Sequence, residues 1–155
     1  MHFADLRAET GRCSEAEGRH RRSIQAFSRV LAQDRQNPLF LLNMGSALHR
    51  RGKMFARQKR RTAAQRSYRA AIGVNDYALG IAPEYLRALA NKGMYCEELG
   101  WLILRWARPH RQDIARQMFQ EGVDAHETAH MIAPDEPRYR EGLARLSDRL
   151  ETLEN

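Results

Sequence analysis

One sequence pattern recurs three times along the chain and constrains its fold more than any other feature. Each copy is a short segment that ends in glycine and is followed by a longer stretch of helical periodicity. The copies are FADLRAETG (3–11), LNMGSALHRRG (42–52) and ANKGMYCEELG (90–100). The terminal glycines are 41 and 48 residues apart, and the difference of about two helical turns keeps a buried face nearly in register. A period of this length predicts an array of stacked helical units.

The segments between the glycines place apolar residues at steps of three and four, which is the spacing of an amphipathic helix. The pattern is clearest in the last segment, whose apolar stripe consists of Tyr139, Leu143, Leu146, Leu150 and Leu153. Pro38, Pro83 and Pro137 suit the first turn of a helix, where the missing amide proton costs nothing. No segment shows the period-two alternation of a β-strand. The sequence therefore predicts an all-α protein.

Composition narrows the class of protein and its location. The chain has 155 residues, which is enough for one domain, and no apolar run approaches the roughly 18 residues that cross a bilayer. Its start lacks the apolar stretch of a secretory signal. Cys13 and Cys96 lie far apart in helical sequence, which favours buried thiols in a reducing compartment. These features predict a soluble, cytoplasmic protein.

Several of these segments resemble the tetratricopeptide family. VLAQDRQNPLFLLNMGSALHRRG (30–52) has a helix end, an Asp-x-x-Asn-Pro-like turn, and a helix with a small residue in mid-course and a closing glycine. The stretches GRCSEAEGRHRRSI (11–24), AAQRSYRAAI (63–72) and ARQMFQEG (115–122) resemble the second-helix core of that repeat. The long period is similar to the extended repeats of kinesin light chains. The insertions GKMFARQKRR and GWLILRWARPH depart from the family pattern.

The resemblance implies an α-solenoid of about three helical hairpins that ends in a capping helix. The hairpins would cover approximately residues 3–34, 38–78 and 84–132, and the cap would cover 137–153, within a single domain of residues 1–155. Each hairpin would bury one face against its neighbour, so that stability would come from stacking. Gly45, Ala64 and Gly93 are small residues at points where two helices would approach closely.

The resemblance also implies a partner-binding groove along the first helix of each hairpin. Asn43 and Asn91 occupy matching positions, and such asparagines in the family resemble a ladder that holds the backbone of a bound peptide. Asparagine offers both a donor and an acceptor to an amide. The alternative is that both are ordinary exposed helix residues. The predicted groove consists of Asn43, Ser46, His49, Arg50, Arg87, Asn91 and Met94.

A basic tract at residues 49–69 holds nine Lys or Arg side chains and no acidic residue. The predicted basic patch consists of Arg50, Arg51, Lys53, Arg57, Lys59, Arg60 and Arg61. Its favoured partner is an acidic protein surface, because only Phe55 and Tyr68 supply aromatic rings and Tyr68 is needed for packing. An RNA-associated or ribosome-associated scaffold is an alternative function, and a solvated helix face is the third interpretation.

The second insertion is unusually apolar, and its candidate interface residues are Trp101, Leu102 and Trp106. Tryptophan is enriched among the anchor residues of interfaces, so the insertion is a candidate apolar interface. The alternative is that these side chains pack on neighbouring helices.

The sharpest enzymatic hypothesis is the H-E-x-x-H pattern at residues 126–130. His126 and His130 would share one helix face as a zinc pair, and Glu127 would be the base of a metallopeptidase. No third ligand is evident, and helical phase favours partly buried packing histidines. We therefore predict no cofactor. We predict a protein-binding scaffold or adaptor, as a subunit or assembly factor of a larger complex, and not an enzyme.

Overall fold

A computed structural model describes the backbone of residues 3–106 and 111–154, and the side chains of 14–106 and 111–153. Within these ranges the chain forms six α-helices and no strand, which confirms the all-α prediction. The helices are α1 (Phe3–Gln33), α2 (Pro38–Arg57), α3 (Arg61–Ile81), α4 (Leu86–Trp106), α5 (Gln112–Ile132) and α6 (Pro137–Glu154). None of them combines the length and apolar character that a bilayer span requires.

The helices pack in the order of the sequence. The closest pairs are α2 with α3 and α4 with α5, and each of the other helices contacts the next along the chain. The alternate helices α2 and α4 also touch, as do α4 and α6. This arrangement is that of an α-solenoid, as the sequence predicts.

The first unit differs from the predicted hairpin at residues 3–34. It is one continuous helix of 31 residues that passes through Gly11 and Gly18 without a turn. A glycine inside a helix costs about 1 kcal/mol relative to alanine, which does not by itself end a helix. The array therefore has two complete hairpins, α2–α3 and α4–α5, with the single helices α1 and α6 on either side.

Gly52 and Gly100 were expected to close helices, but both lie inside them, since α2 runs on to Arg57 and α4 to Trp106. The two insertions are therefore largely helix extensions. A methyl group added at Gly52 would come within 3.2 Å of the Tyr68 ring, and one at Gly100 within 2.5 Å of the Phe119 ring. Both glycines therefore allow a neighbouring helix to approach closely.

The predicted close approaches at Gly45 and Gly93 are confirmed. A methyl group at Gly45 would lie 3.2 Å from the Asn75 side chain, and one at Gly93 would overlap the His126 ring. Ala64, the third small residue, is fully buried in the core. Small side chains thus set the distance between helices in both hairpins.

The turns between units are short and well bonded. Asn37 caps α2, where its side-chain oxygen accepts hydrogen bonds from the amides of Leu39 and Phe40. The turn before α4 is closed by a hydrogen bond from the Tyr85 amide to the Ala82 carbonyl at 3.1 Å. Pro83 lies within this turn and not in the first turn of α4, which differs from the prediction.

The core runs between the helices and includes Cys96, which is a free and fully buried thiol. Burial is the main cause that raises the pKa of this thiol to about 12. Cys13, the other predicted buried thiol, lies outside the described side chains. Tyr139 and Leu146 are fully buried, so the apolar stripe of α6 packs against the array.

Candidate functional site

Helix packing leaves one face of α2 and one adjoining face of α4 open. On α2 this face carries Leu39, Asn43, Ser46, Arg50, Lys53 and Arg57, at helical steps of three and four. The matching row on α4 carries Arg87, Asn91, Met94, Glu98, Trp101 and Arg105. Because α2 and α4 contact each other, the two rows adjoin, and we call them together the α2–α4 face.

The structure brings six of the seven predicted groove residues together on this face. Asn43 and Asn91 lie half-buried at matching positions, and Arg50 and Arg87 are exposed. Ser46 and Met94 also match each other in the two rows. His49 differs from the prediction, since its side chain turns inward and is only 7% exposed.

His49 belongs to a polar cluster around Glu98 that joins three helices. Its Nε2 lies 3.0 Å from one carboxylate oxygen of Glu98, and the hydroxyl of Tyr68 donates to the same oxygen at 2.8 Å. The Lys53 ammonium donates to the other oxygen at 3.3 Å. The His49 ring also stacks on the Tyr95 ring, with centroids 4.4 Å apart. Glu98 thus links α4 to both helices of the preceding hairpin.

The electrostatics of this cluster keep Glu98 ionised. Burial alone would raise its pKa, but the hydrogen bonds from His49 and Tyr68 and the charge of Lys53 lower the pKa to about 2. Burial, followed by the hydrogen bond to Glu98, raises the pKa of Tyr68 far above its usual value. Neither Glu98 nor Tyr68 exchanges a proton near neutral pH, so these two side chains are suited to holding the helices together.

The basic tract is partly neutralised by acidic residues from other helices, which its own sequence lacks. Arg60 forms an ion pair with Glu17 of α1 at 2.9 Å, and Lys53 forms one with Glu98 of α4. The Arg60 guanidinium also lies over the Phe55 ring, 4.4 Å from its centroid.

The other residues of the predicted basic patch divide into two groups. The guanidinium of Arg51 faces the Phe55 ring at 5.1 Å, and that of Arg61 lies 5.6 Å from the Trp106 ring. Arg50, Arg57 and Lys59 are exposed, and the first two lie on the α2–α4 face. Fewer positive charges of the patch are therefore open to a partner than the sequence indicates. Two of them, on Arg50 and Arg57, lie together on the α2–α4 face.

The apolar insertion also divides between core and surface. Leu102 is 8% exposed and belongs to the core, so the interface prediction does not hold for this residue. Trp106 is half-buried beside Arg61. Trp101 is 42% exposed on the α2–α4 face, where the guanidinium of Arg149 from α6 lies 4.9 Å from its ring.

The H-E-x-x-H residues do not form an open metal site. His126 is 5% exposed, and neither of its ring nitrogens has a hydrogen-bond partner among the described residues. Gly93 and Gly142 close both sides of the ring, whereas Glu127 is exposed. A catalytic zinc site needs a coordination position open to substrate, so these residues do not fit one. In the described part of the chain no three His, Cys, Asp or Glu side chains are grouped to hold a metal.

Sequence reasoning missed the cluster around Glu98. Its members lie 30 to 49 positions away from Glu98 along the chain, and no local motif connects any of them with Glu98. Comparison with known proteins finds no family model that matches the chain and no curated protein that is significantly similar to it. The functional interpretation rests on the geometry of the α2–α4 face.

Proposed function

We propose that the protein is a recognition scaffold that captures an acidic segment of a partner protein on the α2–α4 face. One observation carries the proposal: exposed arginines and exposed apolar side chains share this face. The arginines are Arg50, Arg57, Arg87 and Arg105, and the apolar side chains are Leu39, Met94 and Trp101.

The charge of the face supports an acidic partner. Glu98 is the one carboxylate in the two rows, and both of its oxygens are already bound by side chains of the protein. Arginine presents a planar fork of donors that matches a carboxylate, and it stays charged at all physiological pH values. A segment with alternating acidic and apolar residues would therefore complement the face.

Protein is favoured over nucleic acid because the face offers little surface for base stacking. Phe55 and Tyr68, the two aromatic residues of the basic tract, are buried at 2% and 3% exposure. Trp101 is exposed, but the Arg149 guanidinium lies against its ring. Proteins that bind single strands combine positive charge with free aromatic rings.

Two further aspects belong to the same proposal. The resemblance to the tetratricopeptide family adds that Asn43 and Asn91 hold the backbone of the captured segment. A cytoplasmic location is supported by the free thiol of Cys96, and a role as a subunit or assembly factor of a larger complex is part of the same proposal.

The test uses a displayed library of random dodecapeptides, selected on the wild-type protein and on the variant Arg50→Glu with Arg87→Glu. We expect the wild type to enrich Asp and Glu, because its face is positive. The double variant should lose at least about tenfold in affinity for the selected peptides, as expected when charged contacts are reversed. Fluorescence anisotropy of the labelled peptides measures the affinities.

Arg29→Glu with Arg69→Glu is the control, since it changes the net charge equally at exposed positions of α1 and α3. Its affinities should stay within about twofold of the wild type. Selected peptides without an acidic bias, or an equal loss in the control, would contradict the proposal. A single-stranded RNA probe that binds with steep salt dependence, and is lost only in the first variant, would identify nucleic acid as the partner instead.

A further inference from the structure

A shallow pocket lies at the end of the α2–α4 face, between the turn before α2 and the turn before α4. Its volume is about 640 Å³, which is within the range of small-ligand pockets. The lining is mostly apolar and consists of Asn37, Pro38, Leu39, Ala82, Pro83, Glu84 and Tyr85. The pocket has ample room for a large aliphatic or aromatic side chain, and its apolar lining suits the chemistry of one.

The walls of the pocket are fixed by the local backbone. Pro38 and Pro83 restrict their own backbone torsions, and the Asn37 side chain bonds the first amides of α2. The Tyr85 carbonyl accepts the amide of Ala88 at 2.8 Å, which holds the opposite wall against α4. A preformed pocket costs little ordering entropy when a side chain enters it.

The pocket is continuous with the α2–α4 face. Leu39 lines the pocket and is also the first residue of the α2 row, with 47% of its surface exposed. Arg87, the first residue of the α4 row, follows Tyr85 by two positions. Glu84 contributes a negative charge to the pocket lining, so an acidic chain is expected to run away from Glu84 and toward the arginines.

We infer that this pocket holds an apolar anchor side chain of the acidic segment that the proposed function assigns to the face. The inference rests on that function and adds the position of the bound segment relative to α2. Leu39 and Arg50 are eleven residues apart on α2, or about 16 Å along the helix axis. About five residues of extended chain span that distance. The expected motif is a large apolar residue with an acidic residue about five positions away, and a second acidic residue near the anchor for Arg87.

The test is a double-mutant cycle on one dodecapeptide selected from the displayed library. One change is Leu39→Ser in the protein, which adds no charge that could repel an acidic peptide, and the other is Ser in place of the apolar residue at the expected spacing in the peptide. Each change alone should weaken binding about tenfold, because each removes the same apolar contact. Together they should weaken binding little further. Met131→Ser, at the most exposed apolar side chain of α5, is the control and should leave the affinity unchanged.

The outcomes separate this inference from the proposed function. The pocket is overturned, and the function left standing, by acidic peptides that need Arg50 and Arg87 but bind Leu39→Ser as well as the wild type. The same holds if the losses from the two changes are additive. Selected peptides without acidic residues overturn both. A change of oligomeric state in Leu39→Ser, measured by light scattering, would identify the pocket as a contact between copies of this chain and overturn the inference. Circular dichroism checks that each variant is folded.

Discussion

The hairpins α2–α3 and α4–α5 are built on the same spacing but differ in what fills the space between their helices. In each, two glycines seven residues apart on the first helix face two bulky residues seven apart on the second. The pairs are Gly45 with Asn75, Gly52 with Tyr68, Gly93 with His126, and Gly100 with Phe119. The shared spacing holds the helices of both hairpins close together.

The two hairpins differ in the polarity of the side chains that face the second glycine, and in how closely those side chains approach it. The Tyr68 hydroxyl donates a hydrogen bond to Glu98 of the next hairpin. The Phe119 ring instead packs edge-on against the Trp101 ring, with centroids 5.8 Å apart. A methyl group at Gly52 would lie 3.2 Å from the nearest carbon of the Tyr68 ring, whereas one at Gly100 would lie only 2.5 Å from the Phe119 ring. The contact at Gly100 is therefore tighter by 0.7 Å. The first hairpin therefore depends on a polar link to its neighbour, and the second on tight apolar packing.

The largest expected effect comes from filling the glycine sites. Gly100→Ala should lower the free energy of unfolding by about 2–3 kcal/mol, because the buried Phe119 ring has no room to withdraw. Gly52→Ala should change it little, since a gain of about 1 kcal/mol in helix propensity offsets a milder overlap. Urea denaturation of both variants measures the difference.

Gly73→Ala is the control for this pair, because no heavy atom lies within 4 Å of a methyl group at that position. It should raise the free energy of unfolding by up to about 1 kcal/mol. Equal losses for Gly52→Ala and Gly100→Ala would show that the two hairpins do not differ in closeness of packing.

An intermediate effect is expected from the polar link. Glu98→Gln should lower the free energy of unfolding at neutral pH by about 1–2 kcal/mol, because hydrogen bonds to a charged acceptor are weakened. The folded-state pKa of Glu98 is lowered to about 2 from 4.5, so wild-type stability should fall as the pH drops through that interval. The variant should lose this part of the pH dependence.

Acid titrations followed by circular dichroism test the expectation. Glu127→Gln is the control, since Glu127 is exposed on α5. A Glu98→Gln variant that matches the wild type in both stability and acid transition would show that the cluster does not hold the hairpins together.

The smallest effect at neutral pH is expected from His126, which occupies on α5 the position that Asn75 occupies on α3. Burial, and then the charge of Arg145 on α6, lower the pKa of His126, and Glu97 on α4 opposes them only in part. The unfolded chain therefore binds the proton more readily, so stability should fall as the pH drops below about 6.5. His126→Asn should remove this loss, whereas Asn75 carries no titrating group.

Thermal melts at about pH 7.5 and pH 5.5 measure this effect, because the interval brackets ordinary histidine titration. The midpoint of the wild type should fall more between the two conditions than that of His126→Asn. Equal shifts in the two proteins would indicate that other histidines, such as His20, cause the pH dependence.

Periodicity was sufficient to predict the helices but not their ends. The stripe of α6 placed Tyr139 and Leu146 correctly in the core, because helical phase is a local property. The sequence pattern predicts helix ends at Gly52 and Gly100, since glycine is common there. Glycine suits these positions because an aromatic ring of another helix packs against each of them, and no local rule detects a contact of that kind.

The candidate site was predicted in part. The internal alignment predicts that Asn43 and Asn91 lie at equivalent positions, and the structure places both on the α2–α4 face, because repeated units place equivalent residues alike. His49 and Leu102 were assigned to surfaces but are buried, since a neighbouring helix covers one edge of each predicted face. The pocket beside Leu39 was missed because two turns about 45 positions apart form it together.

Each helix of this protein contacts mainly the helices next to it in the sequence, and alternate helices make additional contacts. Within the described residues the contacting helices are mainly neighbours or alternates in the sequence, so tension applied at the two ends of the chain meets the contacts between units one after another. We expect it to lengthen in steps, with α1 peeling from α2 before either hairpin opens. The array would then extend as a series of separate units and not as one cooperative block.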